Sequence, residues 1–250
     1  MLKLIRMLMV TMAALFVLPA QAAEFSAGQK KEMGEIIRAY LMENPEVVRD
    51  AMQELERKQQ VAEDAVRSDS LKALSSEIFR SPDDLIGGNP KGKVTLVEFF
   101  DYNCGYCKRA FPDVMKMVDA DKDLKLVMKE FPILGAGSVY AARAALASRK
   151  QGKYWEYHVA LMAHDGKIDE SVADQIATAS GLDVKKLKAD METDEVNQVI
   201  VRNMQLADSL KIQGTPAFII DETVIPGAVG YEALAAAVKQ VRDSGGCKLC

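Results

Sequence analysis

The sequence predicts an α/β domain carrying a helical insertion and preceded by a helical extension. Three observations predict it. The run Val94-Thr95-Leu96-Val97-Glu98-Phe99-Phe100 is nearly continuous in apolar character, which suits a strand covered on both faces. A helix-like segment from Cys107 to about Ala120 and a second strand-like run, Leu124 to Phe131, complete a parallel βαβ unit. From Ser138 to about Leu210 the pattern is helical throughout and rich in alanine, and strand character then returns at Pro216 to Ile220 and near Thr223 to Ile225.

The chain starts with the parts of a secretory signal. Lys3 and Arg6 precede the apolar run Met7 to Leu18, and Ala20-Gln21-Ala22 offers a small-residue cleavage site. The apolar run covers twelve residues, short of the roughly 20 that span a bilayer. Cleavage after Ala22 leaves 228 of the 250 residues, enough to bury a full core. Losing Lys3 and Arg6 takes the formal charge from -4 to -6, so a nucleic-acid partner has no electrostatic support. All four cysteines lie beyond this segment, too few for a disulfide scaffold of such size.

Residues 23–80 read as a helical, oligomerisation-type segment. Phe25, Met33, Ile36, Ile37, Tyr40 and Leu41 outline a first helix, and Asn44 with Pro45 offers an N-cap and first position for a second. In that second helix Val48, Met52, Leu55, Gln59, Ala62 and Val66 follow coiled-coil spacing, interrupted by Gln59 and thinned by Ala62. The stripe serves either self-association or packing on its own domain. Pro82, Gly87, Gly88, Pro90 and Gly92 then cluster as turn and linker signals, so the α/β domain is placed at 81–243. Within it, Pro112 is expected to kink the crossover helix, the insertion covers about 138–210 with breaks at Gly152, Gly166 and Gly181, and Tyr231 to Arg242 closes the domain. Residues 244–250 read as a flexible tail.

Cys104-Gly105-Tyr106-Cys107 falls where the first strand gives way to a helix. Residues i and i+3 there share a face, so the two sulfurs can cycle between dithiol and disulfide. Cys104 lies nearest the unpaired N–H groups and positive end of that helix, which favours a thiolate. Cys104 is therefore the attacking sulfur and Cys107 the resolving one. Lys108 and Arg109 either add positive potential at Cys104 or, as the commoner case for exposed charges, form a solvated helix face. In a reducing compartment the same spacing suits a metal ligand pair; the N-terminal signal favours the redox reading.

This order of strand, C-x-x-C, helix, strand, helical block, Thr-Pro, strands and helix resembles the thioredoxin fold, and the helical insertion resembles the DsbA family of exported thiol–disulfide oxidoreductases. Val97 to Cys107 is similar to that family's active-site block, and Gly214-Thr215-Pro216-Ala217-Phe218 to its cis-proline loop. Tyr40-Leu41 and Asn44-Pro45-Glu46-Val47 resemble the extension of members of the Com1 or ScsC type, which can oligomerise. The departure lies between the cysteines. Gly105-Tyr106 replaces the Pro-His of DsbA oxidases and, with Thr215, resembles the disulfide isomerase DsbC.

The resemblance implies a periplasmic enzyme without a cofactor. It exchanges disulfides in unfolded or misfolded exported proteins, works with a membrane redox partner and forms a homo-oligomer. It also implies a cis peptide before Pro216 with the Thr215 backbone exposed to substrate, substrate contacts from Gly105 and Tyr106, and a buried acid at Glu98 that moves protons to and from Cys107. The Gly-Tyr filling points toward isomerase or reductase activity, with oxidase as the alternative.

Two further groups carry weaker signals. His158 and His164 stand six apart, about 120° from in-line on one helix, so they read as surface or capping residues beside packing aromatics Tyr154, Trp155 and Tyr157. Cys247 and Cys250 form a second C-x-x-C in the tail. They are expected as a local or intersubunit disulfide, an accessory electron shuttle, or a soft-metal site for copper(I), the last giving a metal-tolerance protein as a reading from another class.

Overall fold

A computed structural model describes residues 25–250, so the signal sequence expected over 1–22 lies outside the described residues. The chain divides into two compact units, Met1–Lys58 and Gln59–Cys250.

The first unit contains α1 (Ala27–Glu43) and the start of α2 (Glu46–Ala73). Ser26 caps α1: its hydroxyl accepts from Gln29 N at 3.3 Å while Gln29 Oε1 accepts from Ser26 N at 2.9 Å, the reciprocal capping box. Asn44 corrects an expectation. Its amide Nδ2 donates to Tyr40 O at 2.9 Å, so the side chain closes α1 instead of opening α2. The reason is local: one short amide reaches only one helix end, and the carbonyls left over by α1 are the nearer acceptors. Apolar side chains of this unit, among them Ile36, Tyr40, Met52 and Leu55, are exposed.

The second unit is built on a five-stranded sheet of order β1-β3-β2-β4-β5. The strands are β1 (Leu85–Gly88), β2 (Val94–Phe100), β3 (Leu124–Glu130), β4 (Ala217–Ile220) and β5 (Thr223–Pro226). β2 and β3 pair in parallel, joined by α4 (Gly105–Ala120), and the other pairings are antiparallel. This is the α/β class the sequence predicts. Every residue of β2 is buried, with alternate side chains entering two cores. Leu96 and Phe100 join the cluster beneath α4, whereas Val97 and Phe99 join Leu71, Phe79 and Ile219 on the other face. Pro112 lies inside α4, which continues past it.

Two boundaries move. Residues 81–93, read as a linker, contain the edge strand β1, which pairs Leu85 with Met128. Gly87 and Gly88 signal a turn by composition, and only the neighbouring β3 makes them a strand. The boundary placed after residue 80 also shifts, because Leu71, Ile78 and Phe79, from α2 and α3 (Ser75–Phe79), are buried in the core. A buried pair ties that segment down: Lys129 Nζ lies 2.6 Å from Asp84 Oδ2 and donates to Glu77 O at 2.6 Å. Helical periodicity shows that a stripe must be covered and not what covers it.

The insertion comprises α5 (Ala136–Ser148), a 3-10 turn at Arg149–Gln151, α6 (Tyr154–Ala163), α7 (Glu170–Ala179), α8 (Val184–Met191) and α9 (Asp194–Ser209). Gly152, Gly166 and Gly181 interrupt it at φ of 66°, 97° and 77°, backbone angles that favour glycine.

After α10 (Tyr231–Asp243) the tail is docked, contrary to the flexible link expected. Asp221 Oδ1 accepts from Lys248 N at 2.8 Å and Leu249 N at 2.9 Å, Arg80 donates to Leu249 O at 2.6 Å, and Leu249 packs on the second core. Cys247 and Cys250 form a disulfide, closing a local loop on this anchor. Asp221 lies 26 residues from Cys247 in sequence, which is why composition alone read the segment as free. Replacing both cysteines by Ser is expected to lower stability by up to about 2 kcal/mol, the loop-closure entropy of so short a ring. Urea unfolding of the two proteins checks this, and an unchanged midpoint would show that the tail is held without its disulfide.

Candidate active site

The site forms at the carboxyl end of β2, where the chain turns into α4. Asp101 shapes that turn. Its Oδ1 accepts from Asn103 N at 2.7 Å, an Asx turn, and its Oδ2 accepts from Ile133 N at 2.8 Å and Leu134 N at 3.0 Å, fixing the loop after β3. Asn103 ties the turn to the insertion, accepting from Ile168 N at 2.7 Å and donating to Ile168 O at 2.9 Å and Ser138 Oγ at 3.1 Å. Gly137 is needed there, since a Cβ would stand 2.2 Å from Ile168 O. Neither Asp101 nor Asn103 was assigned a role from sequence. The available signal was a pair of turn-forming side chains directly before a helix.

Cys104 is thereby set as the N-cap of α4, its Sγ accepting from Cys107 N at 3.4 Å. β4 pairs antiparallel with β2, placing Ala217 opposite Phe99, so the loop before β4 arrives beside Cys104. The Thr215-Pro216 peptide in that loop is cis, and the Cys104 thiol stands 3.1 Å from Thr215 O. The structure thus brings together Cys104, Cys107, Thr215 and Pro216. Both thiols of the pair are free.

The two sulfurs differ electrostatically. A hydrogen bond from the Cys107 side chain, aided by Thr215 and the N–H groups of Cys107 and Tyr106, draws the Cys104 thiol down from 9.0 to about 5 against the effect of burial. Burial first, then Cys104 and the charge of Glu98, push Cys107 far up. Cys104 is a thiolate at neutral pH while Cys107 keeps its proton. Alkylation of the reduced protein by iodoacetamide is therefore expected to be half-maximal near pH 5 and confined to Cys104. A rate still climbing between pH 8 and 9, as for an ordinary thiol, would contradict this arrangement.

Glu98 is 1% exposed in the middle of β2, and neither carboxylate oxygen has a hydrogen-bond partner among the described residues. Burial, with the charge of Cys104 second, raises it to about 8. Its influence on Cys107 puts it within electrostatic range of both sulfurs.

Around the dipeptide, Tyr106 is 61% exposed, and the Arg109 guanidinium lies over its ring, 4.2 Å from the centroid. A Cβ on Gly105 would come no nearer than 3.8 Å to that guanidinium. Lys108, read as solvated, instead donates to His164 O at 2.5 Å and Gly166 O at 3.1 Å, tying α4 to the insertion.

His158 is a correction, being fully buried. Its Nδ1 is 2.9 Å from the Tyr102 hydroxyl, which donates to Glu130 Oε1 at 2.8 Å, and Tyr154 donates to the same oxygen at 2.5 Å. Rings of Phe100, Phe111 and Trp155 surround the imidazole at 5.1 to 5.7 Å, and burial lowers it to about 3, so it is neutral. The spacing of two histidines carried no signal of this, because the enclosing rings come from β2, α4 and α6. His164 is the C-cap of α6.

Among the described residues no group of three or more His, Cys, Asp or Glu side chains is placed to hold a metal ion. Cys247 and Cys250 are docked at Asp221, at the far end of β4 from Pro216, so the structure does not bring them to Cys104.

An acidic outer thiol backed by a protonated inner one, next to a cis-proline loop, is the equipment of thiol–disulfide exchange. The class is therefore that of thioredoxin-fold proteins built around a redox dithiol. The chain belongs to the DSBA-like thioredoxin domain family, whose family model matches residues 95–239. Residues 29–62 match a second model, the copper resistance protein ScsC N-terminal domain.

Among solved structures, a thioredoxin-like oxidoreductase from Silicibacter pomeroyi DSS-3 is 48% identical, covering 67% of this chain and 97% of its own at a TM-score of 0.66. A linker-deletion mutant of Proteus mirabilis ScsC is 29% identical, covering 88% of this chain and 98% of its own at a TM-score of 0.68. The Na(+)/H(+) antiporter NhaA 1 of Salinispora arenicola is 30% identical over 157 residues, 62% of this chain but 24% of the antiporter. The chain thus spans about a quarter of the length of the curated relatives it matches. No helix among the described residues is long and apolar enough to cross a membrane.

Proposed function

We propose that the protein is an exported, periplasmic thiol–disulfide oxidoreductase acting on cysteine-containing protein substrates as an isomerase or reductase. The observation that carries this reading is the Cys104 thiol, drawn down to about 5 and standing 3.1 Å from Thr215 O beside cis-Pro216. The Cys104 thiolate attacks a substrate disulfide, forming a mixed disulfide and releasing one substrate thiolate. Either a second substrate thiolate then displaces Cys104, which completes isomerisation, or Cys107 does. In the second case the substrate leaves reduced, and Cys104 and Cys107 are oxidised to a disulfide that a membrane redox partner must reduce. Glu98 takes the Cys107 proton in that step when it is ionised, and its elevation to about 8 means that this basic form grows as pH rises toward 8. Thr215, Pro216, Gly105 and Tyr106 hold the substrate strand.

Direction is inferred from the thiol. Gly105-Tyr106 adds no histidine to the hydrogen bonds that stabilise the Cys104 thiolate, so its reduced form is less favoured than in a strong oxidase. The proposed homo-oligomer would be formed by the exposed stripe on α2 and set several thiolates around one substrate, raising their effective concentration. Introducing Met52→Glu and Leu55→Glu together is expected to produce monomers by light scattering and to cut the rescue of scrambled substrate about ten-fold. Exchange with a small disulfide should persist. Rescue unchanged in a proven monomer would remove the oligomer from the mechanism, and oxidation of reduced substrate without any rescue would select the oxidase reading.

The match of residues 29–62 to a copper-resistance model supports a second reading, copper(I) binding by reduced Cys247 and Cys250. Stoichiometric copper(I) uptake that those two cysteines alone govern, without exchange at Cys104, would favour it.

A further inference from the structure

The groove beside the cis-proline carries charge of one sign. It holds about 510 Å³, room for a few residues of extended peptide, and Pro216, Val224 and Pro226 make much of its wall apolar. Among the described residues that line it, the charged ones are Arg67 and Lys211, both cationic. In a chain of net charge -4 this is a local reversal and not a consequence of composition.

Both cations are placed by structure. Arg67, near the end of α2, donates from Nε to Leu210 O at 3.1 Å and from Nη1 to Asp64 at 2.8 Å, which leaves Nη2 open to another acceptor. Asp64 itself is more than half exposed and does not line the groove. Lys211 follows Leu210 directly in the left-handed region, φ 56°, with its N–H bonded to Asp208 O at 3.0 Å, so the backbone turns at the groove's lip. Tyr106 is a wall shared with the site, and the guanidinium of Arg109 lies over its ring.

We propose that Arg67 and Lys211 are specificity-determining residues that select extended cysteine-bearing segments with an acidic side chain a few residues from the cysteine. The inference rests on the reading of Cys104 as the exchange nucleophile. A carboxylate held at the edge of an apolar groove is screened less than one in open water, so two cations there discriminate charge more strongly than scattered surface lysines. Arg67 lies outside the stretch matched to the DSBA-like domain, so this selectivity would be contributed by the helix that precedes the sheet.

The test uses the full-length reduced protein and two synthetic peptides. Each carries one cysteine as a mixed disulfide with an uncharged thiol reporter, and they differ only in Glu or Lys at flanking positions. The Glu peptide is expected to exchange about five-fold faster at low salt, and the two rates should converge at high salt. Lys211→Glu, on an exposed side chain, should bring the ratio to one or below, and Arg67→Gln should reduce it. Equal rates at low salt, or a ratio untouched by Lys211→Glu and by salt, would overturn the inference while leaving the oxidoreductase reading in place. Failure to exchange with either peptide and with an uncharged small disulfide would remove both.

Discussion

Replacing Cys104 by Ser is expected to lower disulfide exchange by about a thousand-fold or more, because the other free thiol, Cys107, is buried and keeps its proton, and a hydroxyl is not a nucleophile toward sulfur at neutral pH. Cys107→Ser should behave differently. The Cys104 thiolate still attacks, but the mixed disulfide has no internal resolving group, so it accumulates and is detectable as a mass increase equal to the bound substrate. The pair of variants also separates the two directions of the enzyme. Isomerisation requires only attack by Cys104 and displacement by a substrate thiol, so it should partly survive in Cys107→Ser, whereas net oxidation or reduction needs both sulfurs and should be lost. A Cys107→Ser protein that neither traps substrate nor shuffles it would contradict the assigned order of attack. Cys107 itself packs at 0% exposure, so circular dichroism of the variant belongs beside the kinetics.

Glu98→Gln is expected to have the second largest effect, and it reads out in two ways. The folded carboxyl is raised to about 8 from 4.5, so between those values the folded protein keeps a proton that the unfolded chain has released. The Glu98 contribution to stability is therefore most favourable below about pH 4.5 and falls as pH rises to about 8, with a proton-linked loss on the order of 4 kcal/mol. Glu98→Gln removes that slope. The stability difference between variant and wild type should move in the variant's favour by roughly that amount from pH 4.5 to 8. Glu130, raised to about 8 by burial, contributes the same slope to both proteins and cancels in the comparison. His158 acts in the other direction: held at about 3 by burial, it costs stability as pH falls below 6.5.

In kinetics, Glu98→Gln should slow release from the mixed disulfide about ten-fold or more while leaving attack by Cys104 nearly unchanged, because only Cys107 has a proton to lose. Parallel stability curves across this pH range would show that the carboxyl is not buried as described. Equal release rates would show that Cys107 loses its proton by another path.

How much of this was legible in the sequence depends on how far apart the interacting residues are. β2, the C-x-x-C at its end, α4 and β3 form one stretch of chain whose pattern is local, so apolar continuity and the three-residue spacing of two thiols were enough to locate them. Breaks at Gly152, Gly166 and Gly181 were likewise local, each marking a turn that needs positive φ. The edge strand β1 was not legible, since two glycines become a strand only by pairing with β3. Asn44 was misjudged because an amide capable of capping either of two helices does not reveal its choice.

The sequence by itself determined the α/β class, the position of the dithiol and the two thiols' unequal places on a helix, because these follow from backbone periodicity and covalent spacing. Only the tertiary structure decided the rest. It buried Glu98 and His158 and brought Thr215 O to 3.1 Å from a sulfur 111 residues away. It carried Leu71, Ile78 and Phe79 into the core, docked the tail on Asp221 and set Arg67 beside the cis-proline. The physical reason is common to all of them. Burial, charge and hydrogen-bond partnership are properties of what surrounds a side chain, and those surroundings come from segments whose approach only the packed sheet and its two cores specify.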